Sequence, residues 1–87
     1  MKSIIGILDK IRVINSAPIL LRFTIETPSE YVNCVTAKND IIDKLLLLPE
    51  KQYVLEVSGR YNKRKQLVVN QISIVNPDDT IRRLGIY

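Results

Sequence analysis

The sequence predicts a small all-β barrel of five strands with one helix between the third and fourth strands. Three observations lead to this prediction. Five runs rich in β-branched and aromatic residues are separated by turn residues, one short segment has the apolar periodicity of a helix, and a glycine interrupts the first run. Because 87 residues can enclose one modest core but not two, the chain is predicted to be a single domain.

The first strand is predicted to run from Ser3 to Ile14 and to bend at Gly6. A glycine inside a strand usually marks a bulge or a sharp bend, and a bent first strand lets a small barrel use one strand in two sheets. Beyond the bend, Ile11 and Val13 are predicted to lie on one face of the strand, and Lys10 and Arg12 on the other.

The second and third strands are predicted on either side of the turn Thr27–Glu30, after a first turn at Asn15–Pro18. In the second strand an apolar face alternates with a mostly polar one, namely Ile19, Leu21, Phe23 and Ile25 against Leu20, Arg22, Thr24 and Glu26. In the third strand, Tyr31 to Thr36, one face carries Val32 and Cys34 and the other carries Tyr31, Asn33 and Val35. The second strand is therefore expected to be half-buried with a mostly polar outer face.

The single cysteine and the absence of histidine exclude several kinds of site. A disulfide within the chain cannot form, and a zinc site built from cysteine and histidine is out of reach. With no histidine to act as a base, Cys34 is interpreted as a small buried hydrophobe. No glycine-rich phosphate loop or paired carboxylates stand at a fixed spacing, so neither an enzyme nor a cofactor is expected.

The amino-terminal apolar run is shorter than the core of a signal peptide and far shorter than a membrane span. No membrane partner is expected, and a cytoplasmic, reducing location is predicted. The formal charge of +4 and the pI near 9.4 permit a nucleic-acid partner or an acidic surface without requiring one.

The helix is predicted to begin at Asn39 as the N-cap, with Asp40 in its first turn, and to run to Leu48 before Pro49 stops it. Its broad apolar face would plug the barrel, through Ile41, Ile42, Leu45, Leu46 and Leu48.

The fourth and fifth strands are predicted to form a hairpin over Gln52–Ile74, with a polar loop that starts at Gly59. Four basic residues within six positions surround Tyr61 at its tip, namely Arg60, Lys63, Arg64 and Lys65. Like charges this close repel each other, and an anionic partner would relieve the repulsion. A solvated turn is the alternative.

The order strand, strand, strand, helix, strand, strand predicts a five-stranded Greek-key barrel, the OB-fold. An SH3-like barrel is the alternative, ranked second because it usually lacks a full helix at that position. Residues 1–76 are predicted to form the barrel domain and residues 77–87 a carboxy-terminal extension. The sequence does not decide whether this extension folds back or forms an arm.

The run Val54–Tyr61 resembles the strand that enters the long hairpin of the bacterial single-stranded DNA-binding proteins. Short matches at Gly6–Leu8, Phe23–Ile25 and the predicted helix follow in the corresponding order, over about residues 3 to 75. The chain departs from that family in having no tryptophan and in ending on Arg-Arg-Leu-Gly-Ile-Tyr instead of an acidic-apolar tail. It is therefore more similar to the short primosomal, phage or plasmid relatives.

This resemblance implies a protein that holds single-stranded DNA without sequence preference, in a basic groove with rings on which bases stack. The predicted binding residues are Lys10, Arg12, Arg22, Tyr31, Lys38, Arg60, Tyr61, Lys63, Arg64 and Lys65. Phe23 is excluded as core by its strand phase, and Tyr53 is predicted to pack.

A homo-oligomer is expected, because a lone barrel has exposed strand edges and a short nucleotide track. Replication proteins are candidate partners. Two alternatives stay open: a protein-binding module that docks through the leucine-rich helix or the hairpin edge, and an RNA-binding subunit.

Overall fold

The computed structural model describes residues 1–85 and shows a closed barrel of five strands with two helices. The elements in chain order are β1 (Lys2–Ser16), β2 (Ile19–Glu26), β3 (Tyr31–Thr36), α1 (Asn39–Leu46), β4 (Val54–Tyr61), β5 (Leu67–Ile74) and α2 (Asp79–Leu84). The strands close in the order β1-β2-β3-β5-β4, with β3 and β5 parallel and every other pair antiparallel. This is the predicted OB-fold, with α1 between the third and fourth strands as expected.

The first strand serves both sides of the barrel, as the bent-strand prediction required. Its first part, Lys2–Ile7, pairs with β4, and the part from Ile7 onward pairs with β2. Gly6 lies at this transition, where a Cβ atom would overlap the carbonyl oxygen of Glu26. The glycine therefore permits close approach of two strands, and the bulges of β1 lie further along, after Asp9 and after Val13.

The core contains the residues that strand phase predicts, with Phe23, Cys34 and Tyr53 all buried. Burial raises the pKa of the Cys34 thiol to about 12, so the thiolate is scarce at neutral pH. The predicted inward face of late β1 is wrong at Val13, which is about half exposed. The reason is that beyond Ile7 β1 pairs with β2 alone, so no second strand lies beside Val13.

The helix begins one residue earlier and ends sooner than predicted. Lys38 is the N-cap, without a side-chain hydrogen bond to the helix, and Asn39 is the first helical residue. The last turn closes at Leu46–Leu47, although Leu48 is buried as expected. Asn39 failed as a cap because the chain leaves β3 in an extended conformation that ends at Lys38.

The carboxy-terminal extension folds back on the barrel as far as the structure describes it. Asp78 caps α2 by accepting a hydrogen bond from the backbone N–H of Ile81 at 3.0 Å, and it accepts another from the Tyr53 hydroxyl at 2.8 Å. Ile81 is 1% exposed and belongs to the core. Within residues 1–85 neither helix has the length and apolar content to cross a membrane.

Candidate nucleic-acid interface

A groove of about 390 Å³ lies on the outer face of the first three strands. It is lined by Lys10, Arg12, Arg22, Thr24, Tyr31 and Asn33. Strand pairing explains why these side chains meet: Arg12 lies opposite Arg22, and Thr24 lies opposite Asn33. The groove therefore brings together four of the predicted binding residues, namely Lys10, Arg12, Arg22 and Tyr31.

Tyr31 is the exposed aromatic ring of this groove. It is 56% exposed, and the Lys10 ammonium nitrogen lies over the ring at 5.0 Å from its centroid. A cation at this distance is attracted to the electron-rich face of the ring. The pair thus offers a positive charge and an aromatic surface at one place, which are the two features that a single-stranded nucleic acid contacts.

The two arginines of the groove differ in their surroundings. The Arg12 guanidinium forms an ion pair with Glu50 at 3.1 Å, and the same carboxylate oxygen accepts the backbone N–H of Ile11. Glu50 is brought there because the next residue, Lys51, donates its backbone N–H to the Leu8 carbonyl. Arg22 has no ion pair within residues 1–85, so it is the more available of the two for a phosphate.

A row of directly opposed residues crosses all five strands on the outer face. In sheet order the row is Arg12, Arg22, Val35, Val68 and Arg60. With strands about 4.8 Å apart, its ends lie about 19 Å from each other along the barrel surface. The row therefore links the groove to the end of the β4–β5 hairpin that lies next to the loop, with cations at both ends and an apolar centre.

Val35 at the centre of this row is buried, although it faces outward as its strand phase predicts. Its neighbour Val68 is exposed. The sequence predicted the direction of Val35 and missed its burial, since strand alternation shows the face of a residue but not what lies on that face. Thr24 and Asn33 also line the groove, although they were not among the predicted binding residues. The sequence could have indicated them, because they share strand faces with Arg22 and Tyr31.

The hairpin loop is an ordered turn of residues 62–66. The Asn62 side-chain oxygen accepts the backbone N–H groups of Arg64 and Gln66, each at 2.9 Å, and Lys65 adopts a left-handed conformation at φ 61°. Such an asparagine replaces the backbone partners that a loop lacks. The side chains of Lys63, Arg64 and Lys65 are all exposed at this tip.

The predicted start of the loop at Gly59 is wrong, because β4 continues to Tyr61. Gly59 lies inside the strand at a register shift, where a Cβ atom would overlap the Val68 carbonyl oxygen. Arg60 is consequently a strand residue that faces Val68 and does not belong to the tip.

Besides the basic residues of the hairpin, two more of the predicted binding residues lie apart from the groove. Tyr61 is opposite the buried Leu67, and its side chain lines a second depression at one end of the barrel with Lys2 and Glu30. Lys38 donates from its ammonium group to the Asn70 carbonyl at 3.0 Å and lines a polar depression between α1 and β5 that also contains Asp40. Neither residue lines the groove that contains Tyr31.

Comparison with solved structures finds a match in the crystal structure of yeast Stn1 and Ten1. The match has a TM-score of 0.67 and 17% sequence identity over 97% of this chain. It spans 46% of the matched chain, so this protein corresponds to less than half of that neighbour. Comparisons with protein-family models and with curated proteins found no match.

These findings confirm the OB-fold and leave membership of the bacterial single-stranded DNA-binding family a prediction. The expected homo-oligomer also stays a prediction, since the crystal of the neighbour contains two different proteins.

Proposed function

We propose that this protein is a non-catalytic binding protein for single-stranded DNA, without sequence preference, that supports DNA replication, recombination or the maintenance of a plasmid or phage. The groove of Lys10, Arg12, Arg22 and Tyr31 is the observation that supports this proposal most. It joins an exposed ring to three cations on one face of an OB-fold barrel.

The physical basis of the proposed binding has two parts. When Arg22, Lys10 and the basic tip neutralise phosphates of the DNA, counterions condensed on the DNA are released, which makes the affinity dependent on salt. Bases that a duplex would hide are free to stack on Tyr31, and each stacked base contributes about 1 to 3 kcal/mol. Val68, which is exposed near the centre of the outer row, gives unstacked bases a second, apolar surface between the cations.

The test is a fluorescence-anisotropy titration of the full chain with labelled oligothymidine, with duplex DNA and with RNA of equal length, at two salt concentrations. Oligothymidine is expected to bind at least about tenfold more tightly than duplex, because the duplex keeps its bases in the stack. Its affinity should fall with added salt, with a slope near −0.7 per phosphate neutralised. Equal affinity for duplex would identify a general basic surface and contradict the proposal, and tighter binding of RNA would change the proposed ligand.

A protein-binding module is the second candidate function. Leu46 and Leu47, at the end of α1, are both more than half exposed and adjacent to each other in the chain. Exposed leucines side by side favour contact with an apolar surface of another protein. Absence of binding to all three nucleic acids would favour this second function over the first.

A further inference from the structure

Asp9 is the one charged residue among the buried side chains of residues 1–85. It is 2% exposed and forms no ion pair in this part of the chain. One of its carboxylate oxygens accepts the backbone N–H of Lys10 at 2.9 Å. Burying a carboxylate costs free energy that a purely structural position would avoid with an apolar residue. The hydrogen bonds of Asp9 therefore bear on the role of this buried carboxylate.

The residue that Asp9 holds has an unusual backbone. Lys10 has a φ of 53°, in the left-handed region that residues other than glycine rarely adopt. On the other side of the bulge, the Thr24 hydroxyl donates to the Asp9 carbonyl oxygen at 3.1 Å. The two hydrogen bonds fix Asp9 from its side chain and from its backbone, and so they hold the left-handed conformation of Lys10 in place.

This conformation belongs to a bulge that decides which face the next residues occupy. Asp9 lies opposite Thr24, and Arg12 lies opposite Arg22, so β1 contains one residue more than β2 between these two pairs. In a regular ladder Arg12 would instead lie opposite Leu21, which is fully buried. Because a shift of one residue moves a side chain to the other face, the bulge is what brings Arg12 to the outer face.

The same bulge directs Lys10 toward the ring. In a regular ladder Lys10 would lie opposite Phe23, on the face that forms the core. In the structure its ammonium group lies over Tyr31 at 5.0 Å from the ring centroid. Both cations that β1 contributes to the groove thus depend on the conformation that Asp9 stabilises.

We propose that Asp9 is a positioning residue for a nucleic-acid groove: its buried carboxylate holds the β1 bulge that places Lys10 over Tyr31 and Arg12 beside Arg22. This inference rests on the proposed function for its ligand. The contact between Lys10 and Tyr31 can be measured without any nucleic acid, so the two proposals can fail separately.

The first measurement is an NMR spectrum of the free protein. Protons that lie over an aromatic ring are shifted upfield, so the Lys10 ε-methylene signals should be shifted upfield in the wild type and return to ordinary values in Tyr31→Leu. Asp9→Asn keeps a side-chain oxygen that can accept the Lys10 N–H and should preserve the shift. Asp9→Ala removes this acceptor and should lose it, while core methyl signals stay dispersed.

The second measurement is the affinity of the same variants for oligothymidine by anisotropy. Asp9→Asn should bind with an affinity within about twofold of that of the wild type. Asp9→Ala should bind about tenfold more weakly, because Lys10 no longer lies over the Tyr31 ring and Arg12 no longer lies beside Arg22. Lys10→Gly, which suits the left-handed backbone and keeps the bulge, should lose only the ring contact and bind about fivefold more weakly.

An ordinary shift for Lys10 in the wild type would overturn the proposal, as would Asp9→Ala with shift and affinity unchanged. If Asp9→Ala does not fold, two other observations can contradict the positioning role: a retained upfield shift in a folded Asp9→Val, which also lacks the acceptor, or an unchanged affinity in Lys10→Gly. A wild type that shows the shift and binds no single strand would contradict the proposed function and leave the Asp9-held geometry in place.

Discussion

Two tyrosines of similar exposure lie on different surfaces of this barrel. Tyr31 is 56% exposed in the groove under Lys10, and Tyr61 is 46% exposed at one end of the barrel. A base can stack only on a ring that lies along the path of the bound DNA. Because Tyr31 lies in the basic groove, the structure favours it as the stacking residue. Tyr61 becomes a matched control of the same chemistry.

We expect Tyr31→Ala to lower the affinity for single-stranded DNA by about 1 to 3 kcal/mol and to leave its salt dependence nearly unchanged, because the ring carries no charge. Tyr61→Ala should change the affinity by less than about twofold. Anisotropy at several salt concentrations measures both effects, with the melting temperature as a control for folding. If Tyr61→Ala proves the more harmful change for binding, the path of the strand runs over the barrel end.

Asp78 links the carboxy-terminal helix to the core through Tyr53. The backbone N–H of Ile81 and the Tyr53 hydroxyl both donate to its carboxylate, and they hold the pKa of Asp78 below its ordinary value of 3.8. The same hydrogen bond and the nearby negative charge raise the pKa of Tyr53. A carboxyl with a lowered pKa in the folded state stabilises that state above its ordinary pKa and loses this contribution as pH falls through the lowered value.

We therefore expect the melting temperature of the wild type to fall on acidification below about pH 4 more steeply than that of Asp78→Asn. Asparagine can still cap α2 but has no charge to lose. Thermal unfolding followed by circular dichroism between pH 2 and 7 checks this. Parallel curves for the two proteins would show that the carboxylate contributes nothing specific to the folded state.

The β4–β5 hairpin is the element in which charge and conformation are most clearly separated. Its loop is held by Asn62, whereas the charged side chains of Lys63, Arg64 and Lys65 point to solvent and form no ion pairs within the described chain. Changing these charges should therefore leave the turn intact, since exposed charges contribute little to stability.

We expect replacement of Lys63, Arg64 and Lys65 by Ser to weaken single-strand binding and to flatten the salt dependence by up to about 2 in the log–log slope. The melting temperature should stay within a few degrees of the wild type. A matched control removes three positive charges elsewhere, at Lys44, Lys51 and Arg83. If both triple variants lose affinity equally, net charge explains the effect and the hairpin has no special role.

At the scale of the whole molecule, the barrel and its carboxy-terminal extension share one core. Ile81 of α2 is buried together with Tyr53, which precedes β4. Asp78 and Ile81, which lie in the predicted carboxy-terminal extension, therefore help to hold the barrel together.

We expect Ile81→Ala to destabilise the protein by about 2 to 5 kcal/mol, because it removes a buried side chain and leaves a cavity. Urea unfolding at neutral pH measures this, with Leu84→Ala as a control because Leu84 is half exposed on the same helix. Equal stabilities of the two variants would show that α2 rests on the barrel without contributing to its core.

The sequence by itself determined the five strands, the helix after the third strand, the closed barrel and the core positions of Phe23, Cys34 and Tyr53. It did so because a strand alternates with a period of two residues and a helix does not, and because these local preferences agree with the topology. The same alternation also identified four groove residues, because each lies on the strand face opposite the apolar one. These residues are Lys10, Arg12, Arg22 and Tyr31.

Only the tertiary structure decided which of the nominated residues share a surface. Tyr61 and Lys38 are separated from the groove by the register of β4 with β5 and by the direction in which the chain enters α1. The role of Asp9 was also invisible in the sequence, because a bulge depends on the length of the opposing strand. Register and bulges are set by pairings between distant segments, and a pattern read along one segment contains no information about the partner that will lie beside it.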